Sequence, residues 1–445
     1  LTTARTVSFA TLGCRLNQVD TRLLQTQLEA RGFRTVGFEE PADVVVINTC
    51  TVTARAEFSD RQMIRRAARV SPGARLVVTG CWAQTSPDEV AALGVDLVVG
   101  NADKARLPDL LDVDARGTYV SDIARVRTVD AAPVARWHGR SRAFLKVQDG
   151  CQHRCAFCVV PLARGASRSL EPASVLDQAR RLVEGGHREI VLTGVDLGHY
   201  GADLRPRTTL SGLLRSLVEV PGLRWLRLSS LLPAYFTPEL IELVTTSPVV
   251  APHLHIPLQS GSARVLRLMR RPYDPRMYRA LIERLAAARP GLGLGADVIA
   301  GFPGETDADF ADTIALVDAL PFSYLHVFPY SPRTGTEAAR LPGSLDPPTI
   351  ARRSRALRDA ARAKRDEFRR ALVGRLEEVL VLETRDRATG GLVGLTGSYV
   401  EVVFPGPDRL MRTLAHVRVT GVSGERAAGH LETAAALSAV PGSER

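Results

Sequence analysis

No run of about eighteen uncharged apolar residues occurs anywhere in the 445-residue chain, so no membrane span is expected. The opening LTTARTVSFATLGC has no basic segment leading into an apolar stretch and a small-residue cleavage site. Export is therefore not expected either, and a cytoplasmic location follows by elimination. Cysteine is scarce, with six residues: Cys14, Cys50, Cys81, Cys151, Cys155 and Cys158. A reducing cytosol excludes a disulfide framework and leaves metal binding or catalysis as their leading use, with six isolated buried thiols as the plainer alternative. Internal repeats and low-complexity segments are missing too. Acidic residues are the minority, 48 against 58 basic, for a net charge of +10, which favours a polyanionic partner. An arginine-preferring genome would produce the same excess. With 45% apolar and 24% charged residues the chain is of the folded kind, and its length calls for several domains.

What is present begins with alternation. Over the first hundred residues, short apolar runs (Val7 to Gly13, Asp43 to Thr49, Arg75 to Gly80, Asp96 to Gly100) alternate with helix-like segments (Gln18 to Arg31, Ala54 to Val70, Ser86 to Leu93). Such a pattern predicts a parallel sheet covered by helices. Cys14, Cys50 and Cys81 each fall just after a strand candidate. Parallel strands put all such loops at one edge of the sheet, so three thiols distant in sequence should converge there.

Asn101 to Arg142 reads as a connector of little periodicity. From Ala143 six strand–helix repeats follow, which predict an open six-fold β/α barrel. An arginine-rich helix from Thr349 to Leu372 then leads into short strands with Gly turns, an all-β module suited to a small barrel. The expected division is 1–115, a connector 116–136, 137–371 and 372–435.

The segment Gly150-Cys-Gln-His-Arg-Cys-Ala-Phe-Cys158 places three thiols on one short loop directly after a strand. Three thiolates can hold three irons of a 4Fe–4S cluster and leave the fourth open for a substrate. Zinc with His153 as fourth ligand competes, although tetrahedral closure within so tight a loop is awkward.

C-x3-C-x2-C at the end of the first barrel strand resembles the radical S-adenosylmethionine (SAM) superfamily. There the open iron chelates the amino and carboxylate groups of SAM, which an electron then cleaves to methionine and a 5′-deoxyadenosyl radical. The whole chain resembles the methylthiotransferase family within it. TLGCRLNQVDT, INTCTVTARAE and VTGCWAQ match its N-terminal cysteine segments. GCQHRCAFCVVPLARG, LTGVDLGHYG, HIPLQSGSARVLRLMRR, DVIAGFPGET and HVFPYSPRTGT match its barrel segments in order, and the tail resembles a TRAM domain, an RNA-binding module. The resemblance implies an α/β fold of three parts: a parallel α/β domain, an open (β/α)6 partial barrel and a small all-β barrel. It also implies SAM and two 4Fe–4S clusters, one on Cys151, Cys155 and Cys158 and an auxiliary one on Cys14, Cys50 and Cys81.

By the same carry-over, the backbone at Thr193, Gly194 and Val195 would face the SAM amino group, and Ser229 and Ser230 its ribose. Gln259 and Gly301 would line equivalent edges. Lys146 and Asp149 flank the cluster loop and would order it. Arg164, Arg168 and Arg333, in loops after strands, and Arg385 and Arg412 in the tail are candidate phosphate contacts.

Branches of the family differ in substrate: N6-threonylcarbamoyladenosine in tRNA, N6-isopentenyladenosine in tRNA, or an aspartate of a ribosomal protein. TLGCRLNQ, LTGVDLGHYG, LQSGS and FPYSPRTGT resemble the threonylcarbamoyl branch. That branch usually carries an acidic residue in the segment reading SSLLP here, where Leu232 stands. The expectation is thus methylthiolation at C2 of adenosine-37 in a tRNA anticodon stem–loop. A flavodoxin- or ferredoxin-like reductant and a sulfur donor would be partners of a monomer. An RNA-binding protein with a zinc or purely structural cluster is the alternative of another class. It would not cleave SAM in the presence of a reductant.

Overall fold

The computed structural model describes residues 5–129, 137 and 139–432. Its first unit is a six-stranded, all-parallel sheet in the order β2-β1-β3-β4-β5-β6. The strands are β1 (Thr6–Thr11), β2 (Arg34–Thr35), β3 (Val44–Thr49), β4 (Arg75–Gly80), β5 (Leu97–Val99) and β6 (Gly117–Tyr119). The central strands VVVINT and RLVVTG are buried at every position, as parallel strands covered on both faces must be. Three helices matter to the site: α1 (Arg15–Glu29) after β1, α2 (Ala54–Val70) after β3 and α3 (Cys81–Thr85) after β4. The Thr53 hydroxyl caps α2 by accepting from the Ala56 N–H at 3.1 Å.

The expected connector is more structured than the sequence implies. A helix, Leu107–Asp112, and β6 extend the first unit, and β6 pairs with β5 from Gly117 to Tyr119, beyond the expected boundary at 115. A three-residue strand is too short to show a period, so its formation is decided by the neighbour it pairs with. The connector's residues 130–136 and the tail's residues 433–435 lie outside the described residues.

The second unit is an open barrel of six parallel strands: β7 (Arg142–Lys146), β10 (Glu189–Thr193), β11 (Trp225–Leu228), β12 (His253–His255), β13 (Gly293–Ala300) and β14 (Tyr324–Pro329). A bridge from Leu226 to Val250 joins its two three-stranded halves. A small antiparallel pair, β8 (Gln148–Asp149) and β9 (Arg168–Ser169), frames the loop after β7. One continuous apolar core fills the space between the strands and their outer helices. The long helix Pro347–Arg370, capped by Asp346, leads to the third unit.

That unit is a closed five-stranded barrel in the order β15-β16-β17-β19-β18. Its strands are β15 (Leu376–Arg385), β16 (Leu392–Thr396), β17 (Glu401–Phe404), β18 (Leu414–Ser423) and β19 (Arg426–Leu431). Closure leaves no free edge. Its β16–β17 turn docks at the N-terminal mouth of the open barrel, where Arg227 of β11 donates to the carbonyl of Gly397 at 2.8 Å. The fold is therefore the expected three-part α/β architecture.

Candidate active site

β1, β3 and β4 are adjacent in the first sheet, and a cysteine follows the end of each, three residues on for β1 and directly for β3 and β4. Cys14 stands before α1, Cys50 follows β3 and Cys81 opens α3. A Cβ added to Gly13 would lie 2.8 Å from the Cys50 Sγ, so the Cys14 loop closes directly over Cys50. Gly80, at φ +104°, is equally constrained: its Cβ would meet the Thr49 N at 2.5 Å and the Asn48 Oδ1 at 2.6 Å. Only glycine lets the Cys50 and Cys81 loops approach so closely. Burial, then the neighbouring Cys81 and Cys14 sulfurs, push the Cys50 thiol up to about 12. Burial raises the Cys14 thiol too, so these two are poor free thiolates. They suit an iron core, whose positive charge would reverse that cost.

The second triad lies at the end of β7. Asp149 Oδ1 accepts the Gly150 N–H at 2.8 Å, and the buried Gln148 donates to the Gly150 carbonyl at 2.7 Å and to Ser167 Oγ at 2.9 Å. These bonds shape the loop before its first cysteine. Arg271 Nη1 lies 3.2 Å from Cys155 Sγ, a cation placed where a thiolate would be. Burial pushes the Cys158 thiol up to about 11 and, with Asp196 nearby, raises Cys151 as well. His153 is turned to Tyr235, 2.8 Å from its hydroxyl, and to Asp196 at 3.4 Å. His153 and the three thiols are not drawn together closely enough to share a single metal ion among the described residues.

The strand edges around this loop carry polar atoms without partners among the described residues: Ser229 Oγ, Gln259 Oε1 and the Tyr330 hydroxyl, all buried. Such groups call for a partner, a water or a polar ligand, that the described residues do not supply. Gln259 also sits at φ +66°, uncommon for a residue with a side chain, held by backbone bonds to Asp297 and Ile299. Ser230 is exposed, and the Thr193 carbonyl already accepts the Val147 N–H at 3.0 Å. Gly194 is small because Gln148 Oε1 would stand 2.8 Å from its Cβ. Gly301 donates its N–H to Glu305 at 2.9 Å, so its backbone serves the turn after β13.

The arginines divide. Arg164, expected at phosphates, is buried and donates to both oxygens of Asp149 at 3.0 Å, to Asn17 Oδ1 at 2.6 Å and to Asp20 Oδ2 at 3.0 Å. Arg168 is buried as well and donates to the carbonyls of Arg164 and Ala166. Arg333 pairs with Glu57 at 2.6 Å. Arg164 and Arg333 thus spend donors on joining the open barrel to the first sheet's unit, through Asn17, Asp20, Thr51 and Glu57, while Arg168 braces its own loop from inside. Arg385 and Arg412 are exposed on the closed barrel, Arg385 with Asp408 at 2.6 Å. Asp20, Lys104 and Arg271 were not singled out by sequence. No spacing marks them, because their partners lie 84 to 144 positions away.

An open parallel barrel with an open-sided triad of thiols at its first strand end, beside a sheet with a second triad, defines a radical SAM enzyme. Residues 145–317 match the model of the Radical SAM superfamily, and residues 6–100 match that of the uncharacterized protein family UPF0004. The radical SAM methyltransferase TsrM of Kitasatospora setae shares the fold, with a TM-score of 0.57 at 18% identity over 73% of each chain. At the level of sequence, the chain is 39% identical to the threonylcarbamoyladenosine tRNA methylthiotransferase MtaB of Bacillus subtilis over 93% of both chains. It is 41% identical to the MtaB of Aquifex aeolicus, over 85% of this chain and 93% of that one. It is 34% identical to the tRNA-2-methylthio-N(6)-dimethylallyladenosine synthase of Moorella thermoacetica, over 94% and 96%. The chain belongs to the radical SAM tRNA methylthiotransferases, in the MtaB branch.

Proposed function

We propose that this enzyme converts N6-threonylcarbamoyladenosine at position 37 of tRNA to its 2-methylthio derivative. The observation that carries the reading is the pairing of two thiol triads, each at the C-terminal edge of a parallel sheet, across one buried ionic network. Cys151, Cys155 and Cys158 would hold the cluster that binds SAM, and Cys14, Cys50 and Cys81 the auxiliary one. When bound, these groups supply hydrogen abstraction from an unactivated C–H bond and the sulfur that takes its place. The protein's own residues do the rest. Gln148 and Asp149 set the course of the cluster loop, and Arg271 balances thiolate charge at Cys155. Ser229 and Gln259 offer unpaired polar atoms to SAM, and Arg164 with Asp20 fixes the spacing of the two loops. Arg385 and Arg412 would meet tRNA phosphates on the closed barrel.

We assign residues 1–115, extended to β6, to the auxiliary-cluster domain, 137–371 to the radical SAM core and 372–435 to a TRAM domain. A flavodoxin- or ferredoxin-like reductant, a sulfur donor, a monomeric state and a cytoplasmic location complete the proposal. No helix among the described residues is long and apolar enough to cross a membrane. The test is nucleoside mass analysis of bulk tRNA from cells with and without the gene. Loss of the 2-methylthio form with accumulation of its threonylcarbamoyl precursor is expected. Loss of the isopentenyl-derived form would instead reassign the substrate, with Leu232 the first position to examine. An unchanged profile would move the search to ribosomal proteins.

A further inference from the structure

Below the level of the cysteines, the open barrel holds a second polar cluster to which the reading above gives no task. His253 and His255 of β12 both meet the Tyr324 hydroxyl of β14, at 2.8 and 3.0 Å. His255 Nε2 and His326 Nδ1 converge on one oxygen of Asp297, at 3.1 and 3.3 Å. Two other units send side chains to the same place. Arg15, the residue after Cys14, donates to the Tyr399 hydroxyl of the β16–β17 turn at 3.0 Å. Arg142, Arg227 and Arg15 stand 5.1 to 6.0 Å from the Tyr399 ring centre.

Asp297, Glu189 and, from further off, Glu383 supply negative charge here, but none of them lies within hydrogen-bond distance of Arg142 or Arg15, and Arg142 Nη1 is buried without a partner among the described residues. Arg227 is neutralised by Glu189 through two bonds of 2.7 and 3.2 Å. The same carboxylate is 3.9 Å from Arg142, beyond a hydrogen bond, and the partner of Arg15 is a phenol. Burial pushes the Tyr399 phenol up, yet Arg15, Arg142 and Arg227 together bring it below its ordinary value, so the protein's own acid registers the positive potential. A cavity of about 780 Å³ opens beside it; Arg142, Tyr324, His326 and Tyr399 line one end, and the rest is lined by the long helix and the closed barrel with charges of both signs, Arg365, Arg369 and Arg426 beside Asp386, Glu401 and Glu425. His326, with 56% of its side chain exposed, presents free ring surface towards that space. His255, Asp297 and His326 have donor atoms close enough for a metal ion. Nearby guanidiniums oppose a cation there and favour an anion.

We infer that this floor is a subsite for the carboxylate at the end of the substrate's N6 side chain, held by Arg142, Arg15 and His326. The inference rests on the threonylcarbamoyl reading. In adenine, C2 and C6 flank N1 in one ring. A base that turns C2 towards the thiol triads therefore directs its N6 substituent from the same edge, and Arg15, next to Cys14, spans that interval. A dimethylallyl group contains only carbon and hydrogen and would leave these guanidiniums desolvated and unpaired. Sites built for a polar group reject analogues lacking it far more strongly than apolar pockets reject an extra methyl.

The test uses the full chain, reconstituted anaerobically, and fluorescent anticodon stem–loops carrying threonylcarbamoyladenosine, its neutral methyl ester or N6-isopentenyladenosine. Equilibrium binding and product formation are both read. The acid should bind roughly tenfold to a hundredfold tighter than the ester, the scale of a charge-assisted hydrogen bond. Arg142→Gln should bring the acid down to the ester, and so in part should His326→Gln, an exposed position whose change leaves the fold intact. Equal binding of acid and ester with normal product from the acid would sink the subsite and leave the substrate assignment standing. Equal weakening of all three RNAs by Arg142→Gln would make Arg142 a phosphate contact and overturn the proposal. Product from the isopentenyl RNA alone would overturn the substrate reading, and the subsite with it.

Discussion

Arg164 and Asp20 meet across the boundary between the first sheet and the open barrel, Nη2 to Oδ2 at 3.0 Å, with both side chains buried. Asp20 lies on α1, which starts next to Cys14, and Arg164 ends the short helix that follows Cys158. Lys104 at 3.0 Å and Lys146 at 2.7 Å bind the same carboxylate. Burial alone would raise the Asp20 carboxyl, but Lys104, Lys146 and Arg164 hold it well below the usual range. The relative placement of the two thiol triads thus runs through one carboxylate.

Removing the cation should therefore cost both stability and geometry. Arg164→Met leaves Asp20 and Asp149 short of a partner in the interior, a loss of roughly 3–5 kcal/mol by the usual scale for broken buried pairs. Thermal unfolding of the anaerobic holoprotein should show it. Arg164→Lys keeps the charge but cannot serve Asn17, Asp20 and Asp149 together, so it should fall between the two. Full stability in Arg164→Met would remove the network from any positioning role.

Gly80→Ala should selectively damage the N-terminal triad. The added methyl would have to displace Thr49 or Asn48, on the strand that ends at Cys50. Iron per chain should drop to about half of the wild-type value for two equal clusters, with reductant-dependent SAM cleavage retained. Unaltered iron content would show that the loops can move apart.

The two triads should separate by function. Cys155→Ala should abolish SAM cleavage, whereas Cys50→Ala should keep some cleavage and stop sulfur insertion. Cleavage is followed by formation of 5′-deoxyadenosine, and insertion by mass analysis of the RNA. Normal methylthio product from Cys50→Ala would end the two-cluster assignment.

Glu189 and Arg227 are fully buried, and Arg227 also ties the open barrel to the β16–β17 turn. Glu189→Gln should destabilise by roughly 3–5 kcal/mol because it strands the guanidinium. The double change Glu189→Leu with Arg227→Met should recover much of that loss. Chemical denaturation would show the ordering, and a double variant worse than the single would contradict it.

Much of the site was legible before the fold. Cys14, Cys50 and Cys81 could be placed at strand ends because continuous apolar runs announce parallel strands, and β4 and α2 fall where the pattern puts them. Less was legible where the deciding contact was remote. Arg164, Arg168 and Arg333 read as exposed phosphate contacts because charge in a sequence carries no sign of burial. β6 was missed because three residues show no period. His253 and His255 stand in PHLHIPL as ordinary strand alternation, and only β13, β14 and the closed barrel give them their company.

The sequence by itself determined the ligands and their order: six cysteines, their spacing and the strand ends that carry them, since backbone periodicity and loop position are local properties. Tertiary structure alone decided which charges face inward, that one carboxylate joins both thiol loops, and that three units share the floor of one barrel. Those outcomes depend on desolvation and on partners over a hundred positions apart, quantities that arise only when the chain has closed around them.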